Sequence, residues 1–227
     1  MQELTVIFFS CRRLDLLYRS IKAFIELNKY PITDFIIVND SGDKKIHEEL
    51  KQVYQNATFV LNEVNVGLIK SIDLGYAQIQ TPYLFHCEDD WCVTKGGFIE
   101  QSMDIMADPK IEEVWLQDYN GHPLEPEIHY AKNTAYKLVA DNYQKGLNGF
   151  NDFAWHGFTT ACGMKRLSDY KKVAPYAEIP WQGTIWHREQ AIGERYHDLG
   201  YRSVCLLENY AENIGYGRSE YVSGLER

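Results

Sequence analysis

"LTVIFFSCRRLDLLYRSIKAFI", residues 4–25, decides how this chain is built. Residues 4–9 form a continuous apolar run, the pattern of a strand buried on both faces. Ser10-Cys11-Arg12-Arg13 interrupts it. Leu14, Leu17, Tyr18, Ile21, Phe24 and Ile25 then recur at helical spacing, and Pro31 lies beyond the stop. The same alternation continues outward. "DFIIV" (34–38) reads as a second buried strand, closed by the turn chemistry of "NDSGD". Residues 44–55 read as helix and "TFVL" (58–61) as a third strand. "GLIKSIDLGYAQIQ" (67–80) is helical up to Pro82, and "YLFHC" (83–87) is a fourth strand. A β-α-β-α-β-α-β order implies a mostly parallel sheet with helices on both faces.

The second half is less regular. A helix is expected over 97–107 and a strand over 113–117. Residues 118–152 form a long excursion with one strand near "AYKLVA". Further on, "GFTTACG" (157–163) reads as a strand, 166–173 as a short helix, and 188–200 as a helix closed by Gly200. "YRSVCLL" (201–207) is the last strand. With no repeat or linker, the expectation is one α/β domain over residues 1–227.

Composition narrows the function. The 227 residues are 45% hydrophobic, so a sizeable core forms, and the net charge is −9. An acidic chain is not a general nucleic-acid binder, although a ligand that brings its own cation fits it. Cys11, Cys87, Cys92, Cys162 and Cys205 are odd in number and contain no C-x-x-C. They read as reduced thiols of a cytoplasmic protein. No signal-like start or transmembrane-length apolar run occurs. Contact with a membrane surface through a partner or a lipid-linked substrate stays open.

Three polar clusters fall at strand carboxyl ends: Ser10 to Arg13, Asn39 to Asp43, and Glu88 to Asp90. A parallel sheet gathers such ends at one rim, where ligands bind. "EDD" suits a Mg²⁺ or Mn²⁺ ion shared with substrate phosphates. On an extended segment Glu88 and Asp90 point together while Asp89 turns aside. The turn after the first strand is glycine-free and the Walker pattern is absent, which disfavours dinucleotide and P-loop sites. Phosphates would then be held through the cation, with Arg12, Arg13 and Lys70 nearby. No H-E-x-x-H or G-x-S-x-G marks a hydrolase.

The order "SCRRLDLL", "IIVNDSGD", "NVGLIKSIDLGYA", "YLFHCEDDW" resembles the nucleotide-sugar half of GT-A glycosyltransferases of the family 2 type. The resemblance covers residues 4–98 well and 153–218 in part. It implies a single GT-A (Rossmann-like) domain, with a donor half over 1–98 and an acceptor half over 99–227. By this likeness "EDD" takes the place of the D-x-D metal motif, with Asp90 and Glu88 as ligands of Mn²⁺ or Mg²⁺. Ser10, Arg12, Asn39, Asp40, Asn65, Gly67, Lys70, Glu88, Asp89 and Asp90 would bind the nucleotide-sugar, with UDP as the nucleotide. Counting back from Gly200-Tyr201-Arg202 puts Glu189 on the family's catalytic carboxylate. Arg188 departs from its acidic neighbour, and Asn213 in "NIGYGR" stands where histidine is common. The implied reaction is inverting transfer to a glycan, lipid-linked or protein acceptor. Trp91, Asp118, His156 and Trp181 are candidate acceptor contacts, since flat sugar faces suit aromatic walls with a few polar groups. The competing readings are a nucleotidyltransferase that makes sugar nucleotides and a non-catalytic sugar- or nucleotide-binding module.

Overall fold

The computed structural model describes residues 1–117, 124–144, 153–181 and 185–218. Its first half follows the alternation: β1 (Leu4–Ser10), α1 (Leu14–Leu27), β2 (Asp34–Asn39), α2 (Lys44–Val53), β3 (Thr58–Leu61), α3 (Leu68–Tyr76) and β4 (Tyr83–Glu88). Then come β5 (Trp91–Val93), α4 (Phe98–Ile105), β6 (Ile111–Trp115), β7 (His129–Ala131), β8 (Thr134–Leu138), β9 (Asn142–Gln144) and β10 (Phe153–Trp155). The chain closes with β11 (Gly163–Arg166), α5 (Leu167–Val173), α6 (Ile185–Asp198), β12 (Arg202–Leu206) and β13 (Ala211–Asn213).

Among the described residues nine strands form one sheet, in the order β3-β2-β1-β4-β11-β6-β12-β8-β7. It is α/β and mostly parallel. β11 and β8 run against the other strands. The sheet continues from the first half of the chain into the second without a break. No described helix is long and apolar enough to cross a membrane.

The continuous apolar run of β1 has a direct physical cause. Successive side chains of a strand face opposite ways, and both faces of this sheet are covered. Leu4, Val6 and Phe8 meet Leu17, Ile21 and Phe24 of α1 and Phe98 and Ile99 of α4. Ile7 and Phe9 face the other way, towards Ile69, Ile72 and Tyr76 of α3 and Ile192 and Tyr196 of α6. Phe24 sits among Phe8, Phe85 and Phe98, with ring centroids 5.9, 5.2 and 5.8 Å away. A smaller cluster of Trp115, Val139, Trp155 and Cys205 lies under the second half.

Gly75 sets how closely α3 approaches the sheet. A Cβ there would lie 2.8 Å from both Ile7 Cδ1 and Val38 Cγ2, and 3.1 Å from Phe9 Cε1. Gly75→Val is therefore expected to lower stability by about 1–3 kcal/mol through overpacking. Urea unfolding measures it, as a lower midpoint at unchanged slope.

Two expectations need correction. Residues 157–162 are not a strand, and β11 starts only at Gly163. The amides of Thr159 and Thr160 donate to the Glu113 and Glu189 carboxylates instead of a sheet ladder. The excursion over 118–152 holds more than one strand. Beside the expected β8, the described part contains β7 and β9, and β9 pairs with β10.

Candidate active site

The strand order reverses between β1 and β4, so their carboxyl ends flank a crevice. β1 ends at Ser10 and continues into Arg12, whose φ of 62° places a bulky residue in the left-handed region. Such strain costs on the order of 1 kcal/mol and collects at functional turns. Arg12 is exposed at the rim, while Arg13 turns inward.

β4 ends at Glu88, and Asp89-Asp90 form a tight turn into β5. The extended geometry expected across "EDD" is thus replaced by a turn. Asp89 is buried and ion-paired with Arg13. Arg13 also reaches Asp90 Oδ2 at 3.0 Å, so one guanidinium bridges both aspartates and leaves the turn with net negative charge. Burial pushes the Asp89 carboxyl up to about 6, against the opposing pull of Arg13. Burial, then Asp90, Glu189 and Asp89, hold Glu88 well above the usual carboxylate range.

Two carboxylate oxygens at this turn, Glu88 Oε1 and Asp90 Oδ1, are buried without a hydrogen-bond partner. Unsatisfied buried acceptors are costly, and a divalent cation is the natural complement of this pair. The donor set fits Mg²⁺ or Mn²⁺. The "NIGYGR" segment closes the turn from outside. Asn213 of β13 lies opposite Trp91, and the Ile214 amide donates to the Asp90 carbonyl at 2.7 Å. A Cβ on Gly215 would sit 2.4 Å from Asp90 Cβ, so only glycine fits there. The Asn213 side chain accepts from the Gly215 amide at 2.9 Å.

The nucleoside-side candidates gather at the carboxyl end of β2. Asp40 is buried, and its carboxylate accepts from Asn62 at 2.8 Å and from the amides of Val66 at 2.9 Å and Gly67 at 2.8 Å. It therefore frames the "NVG" loop instead of facing outward. Asn65 donates to the Asp40 carbonyl at 2.9 Å. Gly67 caps α3 at φ 86°, a conformation open to glycine. Lys70 is exposed on the first turn of α3. Asn39 accepts from the Ser41 amide at 3.2 Å, while its own NH₂ group is a buried donor without a partner.

Glu189 is the centre of the other wall. It is 6% exposed, although it lies on a helix. Its Oε1 accepts from the Thr160 amide at 2.7 Å, the Thr160 hydroxyl at 2.9 Å and the Thr159 hydroxyl at 3.3 Å. Burial raises its pKa, and the Thr160 and Thr159 bonds and Lys165 oppose that rise. Glu189 also lies close enough to Glu88 for its charge to help raise that carboxyl, and Thr160 opposes the rise. The Thr159-Thr160 turn is anchored in turn by Lys165, whose ammonium donates to the Thr159 carbonyl at 3.0 Å and pairs with Glu113. Sequence reasoning missed Thr160, Glu113 and Lys165, because their partners come from distant segments.

The buried acids of β6 carry a stability consequence. Burial pushes Glu112 up to about 7 and Glu113 up to about 8, despite Lys165. Both lie far above their unfolded values. The folded state binds more protons at these two groups, so their contribution to stability is fully present below the unfolded values and falls as pH rises through 7 and 8. A thermal midpoint that rises between pH 8 and pH 6 is the expected result, read by differential scanning calorimetry.

Of the acceptor candidates, Trp91 is 7% exposed and packs in the core cluster, because the Asp89-Asp90 turn reverses the chain and points it inward. Trp181 lies under the Arg188 guanidinium, 4.4 Å from the ring centre. His156 packs near Gly193 of α6. Asp118 lies outside the described residues.

The fold has clear relatives among solved structures. "Mannosyltransferase PcManGT from Pyrobaculum calidifontis in complex with GDP-Man and Mn2+" superposes with a TM-score of 0.64 at 10% identity, over 97% of this chain and 59% of that one. S. aureus TarS 1-349 gives 0.59 at 14% identity, over 92% of this chain and 59% of that one. The chain thus spans about three fifths of either structure. No curated protein matches the sequence. The architecture is that of GT-A enzymes, and the family model for glycosyl transferase family 2 matches residues 5–172. This chain belongs to glycosyl transferase family 2.

Proposed function

We propose that this protein transfers a sugar from a nucleoside-diphosphate sugar to an acceptor hydroxyl, with inversion at the anomeric carbon and Glu189 as the base. The observation that carries this reading is the buried Glu189 carboxylate, held by the Thr160 amide and hydroxyl and near enough to Glu88 at the rim for the two charges to interact. A base and a diphosphate site are then held in one crevice.

The nucleoside lies against the wall of Ser10, Asn39, Asn65 and Gly67, with the loop fixed by Asp40. Lys70 and Arg12 face the phosphates from the exposed rim. Asp90 and Glu88 would hold a Mn²⁺ or Mg²⁺ ion, which when bound supplies positive charge against the departing diphosphate. Glu189 takes the proton of the acceptor hydroxyl as its oxygen attacks the anomeric carbon. The bond from that carbon to the diphosphate oxygen breaks on the opposite side, which inverts the centre. Residues 1–98 form the donor half of one domain and 99–227 the acceptor half, with His156 and Trp181 on the acceptor side. None of the five cysteines forms a disulfide, which supports a reducing, cytoplasmic setting. The acceptor is a glycan, a lipid-linked sugar or a protein.

UDP is favoured by the motif resemblance, whereas the Pyrobaculum protein is named for a GDP-Man complex. A panel of UDP- and GDP-sugars with Mn²⁺, followed by release of the free nucleoside diphosphate, tests the reading. One donor class should turn over, slowly with water and faster with a suitable acceptor. Binding of a nucleotide without any turnover of its sugars would favour the non-catalytic module.

A further inference from the structure

Outside the rim, one trio of metal-ligating side chains stands out. Among the described residues, Asp141, His156 and His197 offer ligand atoms that all lie within 4.8 Å of one another. They come from three separate segments. Asp141 precedes β9, His156 follows β10, and His197 sits in the last turn of α6. β9 and β10 pair with each other, so the trio bridges that hairpin and α6.

The geometry is that of an open surface site. His156 Nδ1 lies 3.3 Å from Asp141 Oδ1, and His197 Nε2 lies 3.7 Å from Asp141 Oδ2. The two imidazoles stack with centroids 3.9 Å apart and planes 20° from parallel. The His197 side chain is 41% exposed. Arg202 also approaches Asp141 Oδ2, at 3.7 Å. Its NH2 group, however, is held by Glu125 at 2.6 Å and by the Val139 carbonyl at 2.8 Å. Its Nε still faces Asp141 Oδ2, so an ion held by the histidines would share that carboxylate with Arg202.

We propose that Asp141, His156 and His197 bind a divalent transition ion of the zinc class and so tie α6 to the β9–β10 hairpin. Two imidazoles and one carboxylate suit Zn²⁺ and its nitrogen-preferring neighbours, whereas Mg²⁺ prefers all-oxygen ligands. This site is distinct from the oxygen-only pair of Glu88 and Asp90. Glu189, Gly193 and His197 are spaced at i, i+4 and i+8 on α6, so they share a face. The ion would therefore sit about 12 Å along the helix from Glu189. It would fix the far end of the helix that carries Glu189, without touching the reacting atoms.

Calorimetric titration of the metal-free protein with Zn²⁺ tests this, with Co²⁺ absorbance as a second probe. The expected result is one strong Zn²⁺ equivalent. His197→Ala and Asp141→Asn, both at exposed positions, should each weaken it by more than about tenfold. Asp90→Asn should leave it unchanged, and Co²⁺ should show the visible bands of an imidazole-bound ion in wild type but not in His197→Ala. Absence of a Zn²⁺ equivalent, or one that survives His197→Ala or is lost in Asp90→Asn, would overturn the proposal.

Discussion

Glu189→Gln is expected to lower kcat/KM for sugar transfer by about 10³-fold, within the span that a general base contributes. That is about 4 kcal/mol of transition-state stabilisation. The substitution is close to isosteric, and the amide oxygen of glutamine can still accept from the Thr160 amide and hydroxyl. Packing and donor binding should therefore hold, with Mn²⁺-dependent nucleotide affinity within about twofold of wild type on the same physical ground. Only the ability to take a proton is lost. The wild-type pH profile supplies a second readout. A base must be ionised, so the rate rises with pH through the pKa of Glu189. Burial raises that pKa, which places the acidic limb above the ordinary glutamate range. Transfer by Glu189→Gln at a rate close to wild type would remove Glu189 from the role of base.

Asp90→Asn is expected to lower kcat/KM by about 10²–10³-fold, the scale for removal of one preorganised electrostatic contact. Its second signature is loss of the Mn²⁺ dependence of nucleotide binding. Asp90 brings an unpartnered buried oxygen to the turn, and asparagine keeps its size but not its charge. Arg13 retains its pair with Asp89, so the fold of the turn should survive. Gly215 packs against Asp90 Cβ, and a side chain of unchanged size respects that contact. Unchanged metal dependence in the variant would place the cation elsewhere.

How much of this was legible in the sequence depended on how local its causes were. β1, β2 and β4 were readable because both faces of each are covered, which forces runs such as "LTVIFF". The short strands β5 and β13 were not. Each has three residues and exists only because the "NIGYGR" segment folds back across the acidic turn. Thr159 and Thr160 resembled a strand because they are β-branched, yet distant carboxylates claim their amides. Register from "GYR" singles out Glu189 as a candidate, but its burial is not legible, since the helix around it is polar. Arg13 was read as a phosphate-side charge and is instead the counter-ion of Asp89 and Asp90. Asp141, His156 and His197 follow no motif spacing; the pairing of β9 with β10 and the packing of α6 against β10 bring them together.

The most direct test of the rim as a cation–diphosphate site is a calorimetric titration with UDP and GDP, with and without Mn²⁺. One nucleotide should bind at least about tenfold more tightly in the presence of Mn²⁺, a difference of about 1.4 kcal/mol. Equal affinity with and without the ion, or no binding of either nucleotide by the folded protein, would contradict the account and leave the carboxylates of Glu88 to Asp90 without a diphosphate to meet.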